Sequence, residues 1–232
     1  MTKVEVKIVL SKFMWACRLF LITYFVIIYY FADTFFFVFL NLTLAYIPFE
    51  IAVFLTAKKR AAWLFWPLAI IWLVFYPNAP YILTDIFHLQ RLGAYTAEGN
   101  LSPDMYIWKN FTFLVIGIFY GLFVGFTSLS LMIKEFMRRL EWQRVFKYQI
   151  VLILLTLLSS YGIYIGRFLR LHTIHLLTRP LESFLDLIFV VSPNFIAFVI
   201  CLSVLQYILF YSFSTFTPLL QKIHEPKNQK QR

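Results

Sequence analysis

Charge is scarce in this chain: only 14% of its 232 residues are charged, and the 11 acidic ones are about half as many as the 21 basic ones. A soluble domain carries about a quarter of its residues charged. With 61% hydrophobic and 21% aromatic residues in their place, a soluble fold is excluded and lipid must be the main solvent. Cysteine is almost missing. The two present, Cys17 and Cys201, both fall inside apolar runs and form neither a disulfide framework nor a ligand spacing, so they read as small packing residues. H-E-x-x-H and G-x-S-x-G patterns are absent, which removes the commonest signatures of zinc proteases and serine hydrolases. There is no long internal repeat, and that argues against an inverted-repeat transporter. The net charge of +10 does not indicate nucleic-acid binding, because the basic residues are scattered between apolar runs and build no continuous polar surface.

What is present is apolar length. Crossing about 30 Å of hydrocarbon takes about 20 residues, and six runs qualify, at about 13–31, 34–57, 61–84, 110–133, 148–166 and 193–217. The expectation is an all-α, polytopic transmembrane helical bundle of about six spans, forming a single membrane domain over 1–232. Only Ala32 and Asp33 separate the first two runs, as in a tight helical hairpin. Pro77 and Pro80 break the third, since each proline removes a backbone donor and restricts the residue before it. The last uncharged stretch, 187–221, is too long for one crossing and is divided at Ser192-Pro193. About 180–191 reads as an interfacial or re-entrant helix, and a seventh crossing stays open. The lysine-flanked N-terminal run has the look of a secretory signal. No small-residue cleavage site follows Phe31, however, so the first span is expected to stay uncleaved in a mature chain of Met1 to Arg232.

Lys and Arg alternate by loop. Four lie in the N-terminal segment including Arg18, three at Lys58-Lys59-Arg60, five from Lys134 to Lys147 and four in the tail. The intervening loops hold only Arg91, Lys109, Arg167, Arg170 and Arg179. By the positive-inside rule both termini are expected in the cytoplasm, with the Asp33 turn, the 85–109 loop and the 167–186 segment outside. Gly117, Gly121 and Gly125 line one face of the fourth span, and Gly162 and Gly166 one face of the fifth, a spacing that lets helices approach closely in lipid.

The residues most able to carry chemistry crowd the outer end of the third span. Should helix resume after Pro80, Asp85 and His88 stand three apart on one face, with Tyr81 and Thr84 one turn earlier. A broken span frees backbone groups that proteins use to build sites, and Asn78 and Thr84 are equally able to cap those groups in a plain kink. A second cluster, Arg167, Arg170 and Arg179 with His172 and His175, sits where positive charge is otherwise rare. Either it pairs with Asp85, Asp104, Glu182 or Asp186, or it grips an anion such as a lipid phosphate, for which the guanidinium fork is suited. The three histidines and Asp85 do not have a metal-site spacing, and no metal or cofactor is expected. Glu50 lies inside the second span, where a carboxylate is either paired, with Arg18 or Lys58 as candidates, or used in proton coupling. Asn41-Leu42-Thr43 has the form of a glycosylation sequon, which is idle inside a span.

Pro77-Asn78-Ala79-Pro80-Tyr81, continuing through Thr84-Asp85 to His88-Leu89, resembles the bacterial membrane-protein family called domain of unknown function 1361. Asn41 to Pro48, Gly121 to Leu129 and Gly166-Arg167-Phe168-Leu169-Arg170 support the resemblance over most of the chain. His172-Thr173-Ile174-His175 departs from it, standing where the family pattern has an Asn-Ser-Trp-Asp-like run. The resemblance implies a multi-pass protein of the bacterial plasma membrane and brings no activity with it. Function is therefore expected from the residues alone. The first expectation is transport or lipid handling, with Asn78, Tyr81, Asp85, His88, Arg167 and Arg170 binding an anionic or lipid ligand. One alternative is a membrane enzyme acting on a lipid-linked or phosphate-bearing substrate, with Asp85 or His88 as general base. Another is a noncatalytic subunit of a membrane complex. Membrane lipids are the expected partners, and nucleic acid is not.

Overall fold

A computed structural model describes residues 3–32, 36–95, 99–142, 144–169 and 191–215. The chain is all-helical there, and six helical stretches among the described residues are long and apolar enough to cross a membrane. They are α1 (Lys3–Phe31), α2 (Phe37–Thr56), a compound third span, α5 (Met105–Arg139), α6 (Val145–Tyr164) and α7 (Pro193–Thr215). The third span consists of α3 (Ala62–Phe75), the single turn α4 (Asn78–Tyr81) and a 3₁₀-helix (Ile82–Leu92). Residues 180–190 of the expected helix, Asp33, Arg170, His172 and His175 lie outside the described residues.

α5 is the axis of the bundle. Its 35 residues are about 52 Å long at 1.5 Å per residue, well beyond about 30 Å of hydrocarbon, and it packs on α1, α2, α4, the 3₁₀-helix, α6 and α7. Its glycine face meets the proline-broken turn. A Cβ added at Gly125 would collide with the Cβ of Ala79, and one at Gly121 would press on Ile82 and Leu42 at 3.2 Å. From the other side, a Cβ at Gly162 of α6 would lie 3.1 Å from the Pro77 ring. The small residues thus admit the proline-containing stretch between α5 and α6.

Polar bonds join the helices inside this frame. Ser128 Oγ donates to the Pro48 carbonyl at 3.1 Å and accepts from Trp72 Nε1 at 2.6 Å, tying α5 to α2 and α3. Ser160 accepts from Gln206 Nε2 at 2.7 Å, and Gln149 bridges to Tyr207 and Tyr211, tying α6 to α7. At the basic end Glu135 is almost fully buried and takes bonds from Arg138 and from Arg139, whose guanidinium also donates to the Arg60 carbonyl and lies 3.7 Å from the Phe65 ring centre.

The third span departs from expectation in its length. The sequence places its end near Thr84 and a loop from Asp85 onward, whereas helical turns continue to Leu92 and stop at Gly93. Gly93 has φ 61°, the left-handed conformation that glycine adopts without steric cost at a helix end. The charge at Asp85 ends the apolar window without ending the helix, because that carboxylate is turned inward and fully buried.

Candidate functional site

Two proline-driven breaks in hydrogen bonding place this site. Pro77 has no N–H, so the last turn of α3 is closed in another way: Asn78 Nδ2 donates to the Phe75 carbonyl at 2.9 Å, and Ala79 N donates to the Tyr76 carbonyl at 3.0 Å. After Pro80 the chain tightens to three residues per turn, and Thr84 Oγ1 donates to the Tyr81 carbonyl at 2.7 Å. In a 3₁₀-helix residues three apart eclipse. Asp85 and His88 therefore stack directly, as the spacing suggests, while Tyr81 falls in line with Thr84 and out of line with Asp85.

The Asp85 carboxylate is fully buried, within the 3₁₀-helical last part of the third span. Its Oδ2 accepts from Asn41 Nδ2 of α2 at 2.8 Å. Its Oδ1 has no hydrogen-bond partner among the described residues. Two cationic or ionisable groups stand equally far from that oxygen, Arg167 Nη1 at 3.8 Å and His88 Nε2 at 3.8 Å, both beyond hydrogen-bond reach. Each side chain is 21% exposed, so the pair forms the rim above a buried acid.

Arg167 reaches the site from a π-helical turn, Ile165–Leu169, that extends α6. Such a turn carries an extra residue and rotates the chain beyond it, a device often found where a side chain must be re-aimed. Here it brings the guanidinium under the broken span. Nη1 donates to Tyr81 Oη at 3.0 Å, Nη2 donates to the Thr84 carbonyl at 2.5 Å, and the guanidinium carbon lies 5.3 Å from the Tyr81 ring centre. The fork is held by two groups of the third span, while other N–H groups have no partner among the described residues. His88 is positioned in turn by Phe37, its ring centre 4.3 Å away.

Of the residues singled out from sequence, Tyr81, Asp85, His88 and Arg167 converge, Asn78 caps the kink beside them, and Arg170 lies outside the described residues. Glu50 is elsewhere. It takes a two-pronged ion pair from Arg18, at 2.8 Å on each oxygen, and a third bond from Tyr46 Oη at 2.8 Å. The pairing expected for an intramembrane carboxylate is thus made with Arg18. Asn41 is the site residue that sequence reasoning passed over, being treated there as part of an idle sequon. The available signal was a side-chain amide inside a span, which in lipid must find a partner. Among the described residues no group of three or more His, Cys, Asp or Glu side chains is arranged to hold a metal ion.

A family profile described as "Protein of unknown function (DUF1361)" matches residues 40–209, an interval that contains Asn41, the whole broken span and Arg167. No curated protein and no solved structure matches the chain. The chain belongs to the DUF1361 family, as a membrane protein whose family has no established function.

Proposed function

We propose that this protein transports or handles a lipid or small solute bearing an anionic group, bound where Arg167 and His88 rim the buried Asp85. The observation that carries the reading is the incomplete pairing at Asp85. A carboxylate removed from solvent keeps one oxygen without a hydrogen bond among the described residues, with an arginine and a histidine each 3.8 Å away and each partly exposed. Leaving a buried charge short of partners is unfavourable by several kcal/mol in order of magnitude. The anion itself cannot bond that oxygen; it draws instead on the arginine and histidine, which the buried acid attracts without closing a hydrogen bond to either.

In this reading Arg167 presents the N–H groups that the described residues leave unfilled to phosphate or carboxylate oxygens. Asp85 holds the guanidinium in place from behind, and His88 donates from the side. The alternation of basic loops puts both termini in the cytoplasm and opens the site to the outer face.

Native mass spectrometry of the protein released from lipid nanodiscs tests this. Wild-type protein should carry a stoichiometric anionic lipid or solute that is lost in Asp85→Asn and in Arg167→Ala, with both variants inserted and folded. Undiminished binding in both variants removes the proposal.

A second reading rests on the stacking of Asp85 and His88. If the 3.8 Å gap closes on substrate binding, the acid orients the imidazole as a general base toward a phosphate-bearing lipid held by Arg167. Product formed from membrane lipids by wild-type protein and lost in His88→Ala favours this enzyme reading over transport.

A further inference from the structure

The Arg18–Glu50 pair is fully made and yet is not enclosed. The side chains are 32% and 35% exposed. Both residues lie the same distance below the α1–α2 hairpin, about 20 Å at 1.5 Å per residue, which is well inside about 30 Å of hydrocarbon. Intramembrane charges ordinarily face a bundle interior or water. Here they flank an open helix face instead. α1 is the least covered span, with 17% of its most apolar stretch buried against 72% for α5. It packs inward through Cys17, Tyr24 and Ile28.

On the exposed side, the strip beside Arg18 reads Trp15, Leu19, Ile22, Val26 and Tyr29, each at least half exposed. Their spacing alternates four and three residues, the heptad seam by which left-handed helix pairs interlock. Arg18 stands at the edge of that seam, where charged residues of paired helices choose the partner. Lipid tails can cover the apolar strip, but they offer nothing to the half-exposed ion pair. A second copy offers both. A two-fold axis along the membrane normal keeps each residue at its own depth in both copies, so α1 meets α1 in parallel and Arg18 and Glu50 face their counterparts at one level.

We infer that α1 forms the interface of a parallel homodimer, with the seam from Trp15 to Tyr29 at its centre and Arg18 of each copy reaching Glu50 of the other. The pair then becomes a four-charge network closed off from lipid. The inference is independent of the Asp85 site.

The test is made on the full chain in membranes. In a Cys201→Ser background, Leu19→Cys should give a disulfide-linked dimer under mild oxidation. A chain carrying Arg18→Glu and one carrying Glu50→Arg should each lose dimer at least tenfold when expressed alone. Expressed together they should recover it, because opposite charges then meet across the interface. Leu19→Ala with Ile22→Ala, which leaves the ion pair intact, should also lower the dimer fraction in nanodiscs and keeps the inference open to refutation if the charge variants do not fold. Monomer from wild-type protein by native mass spectrometry overturns the inference, as does a thiol at position 19 that links only to a different protein. Co-expression that recovers no more dimer than either variant alone overturns the exchange of charges between copies.

Discussion

Asp85 and Glu50 are both carboxylates inside apolar spans, each with an arginine beside it, and the bundle treats them in opposite ways. Glu50 has both oxygens bonded to Arg18 and a third bond from Tyr46, although it is one-third exposed. Asp85 is fully buried but among the described residues has a single bond, from Asn41, and the arginine nearest it gives two of its donors to Tyr81 and the Thr84 carbonyl. Glu135 extends the contrast: buried like Asp85, it is satisfied like Glu50, by two arginines one turn along the same helix. A carboxylate held for structure is closed by its neighbours. Asp85 keeps one oxygen without a hydrogen bond among the described residues, with an arginine 3.8 Å from it.

Variants that break one side of this contrast and spare the other put it at risk. The largest loss of stability is expected for Glu135→Ala, which strands Arg139 in the packed basic end and should destabilise by about 3 kcal/mol, read as a lower Tm in nanodiscs with ligand binding retained. Asn41→Leu should cost about 2 kcal/mol by leaving a second Asp85 oxygen without a donor, and it should weaken binding as well. Asp85→Asn should lower ligand affinity at least about tenfold, or 1.4 kcal/mol, with little change in Tm. Glu50→Gln should do the reverse, lowering Tm and sparing affinity, so equal effects of the two substitutions on binding would erase the distinction. The smallest change is expected for Tyr81→Phe, which keeps the ring under Arg167 and removes one bond, worth about 1 kcal/mol. It should appear chiefly as faster ligand release.

Much of this architecture is legible in the chain itself. Six apolar runs, the paired Pro77 and Pro80 of the third and a repeating glycine face are local features, and lipid imposes helix on any apolar run that must satisfy its own backbone. The Asp85–His88 stacking is legible for the same reason, since residues three apart share a face in either type of helix. The continuation to Leu92 is not, because an acid inside a span looks like the edge of that span until its partners are known. Asn41 shows in the sequence only as an amide that needs a partner, and not which one: it is more than forty positions from Asp85, and only the packing of α2 against the 3₁₀-helix joins them.

The sequence by itself determined that the protein lives in lipid and how many times its described helices can cross, because these follow from hydrophobic length. The close pair Pro77 and Pro80 marked the break of the third span, whereas the single prolines Pro48 and Pro67 leave α2 and α3 unbroken. The tertiary structure alone decided which acid is satisfied and which is left open. That choice depends on where a π-helical turn aims Arg167 and on which helix lies beside each carboxylate.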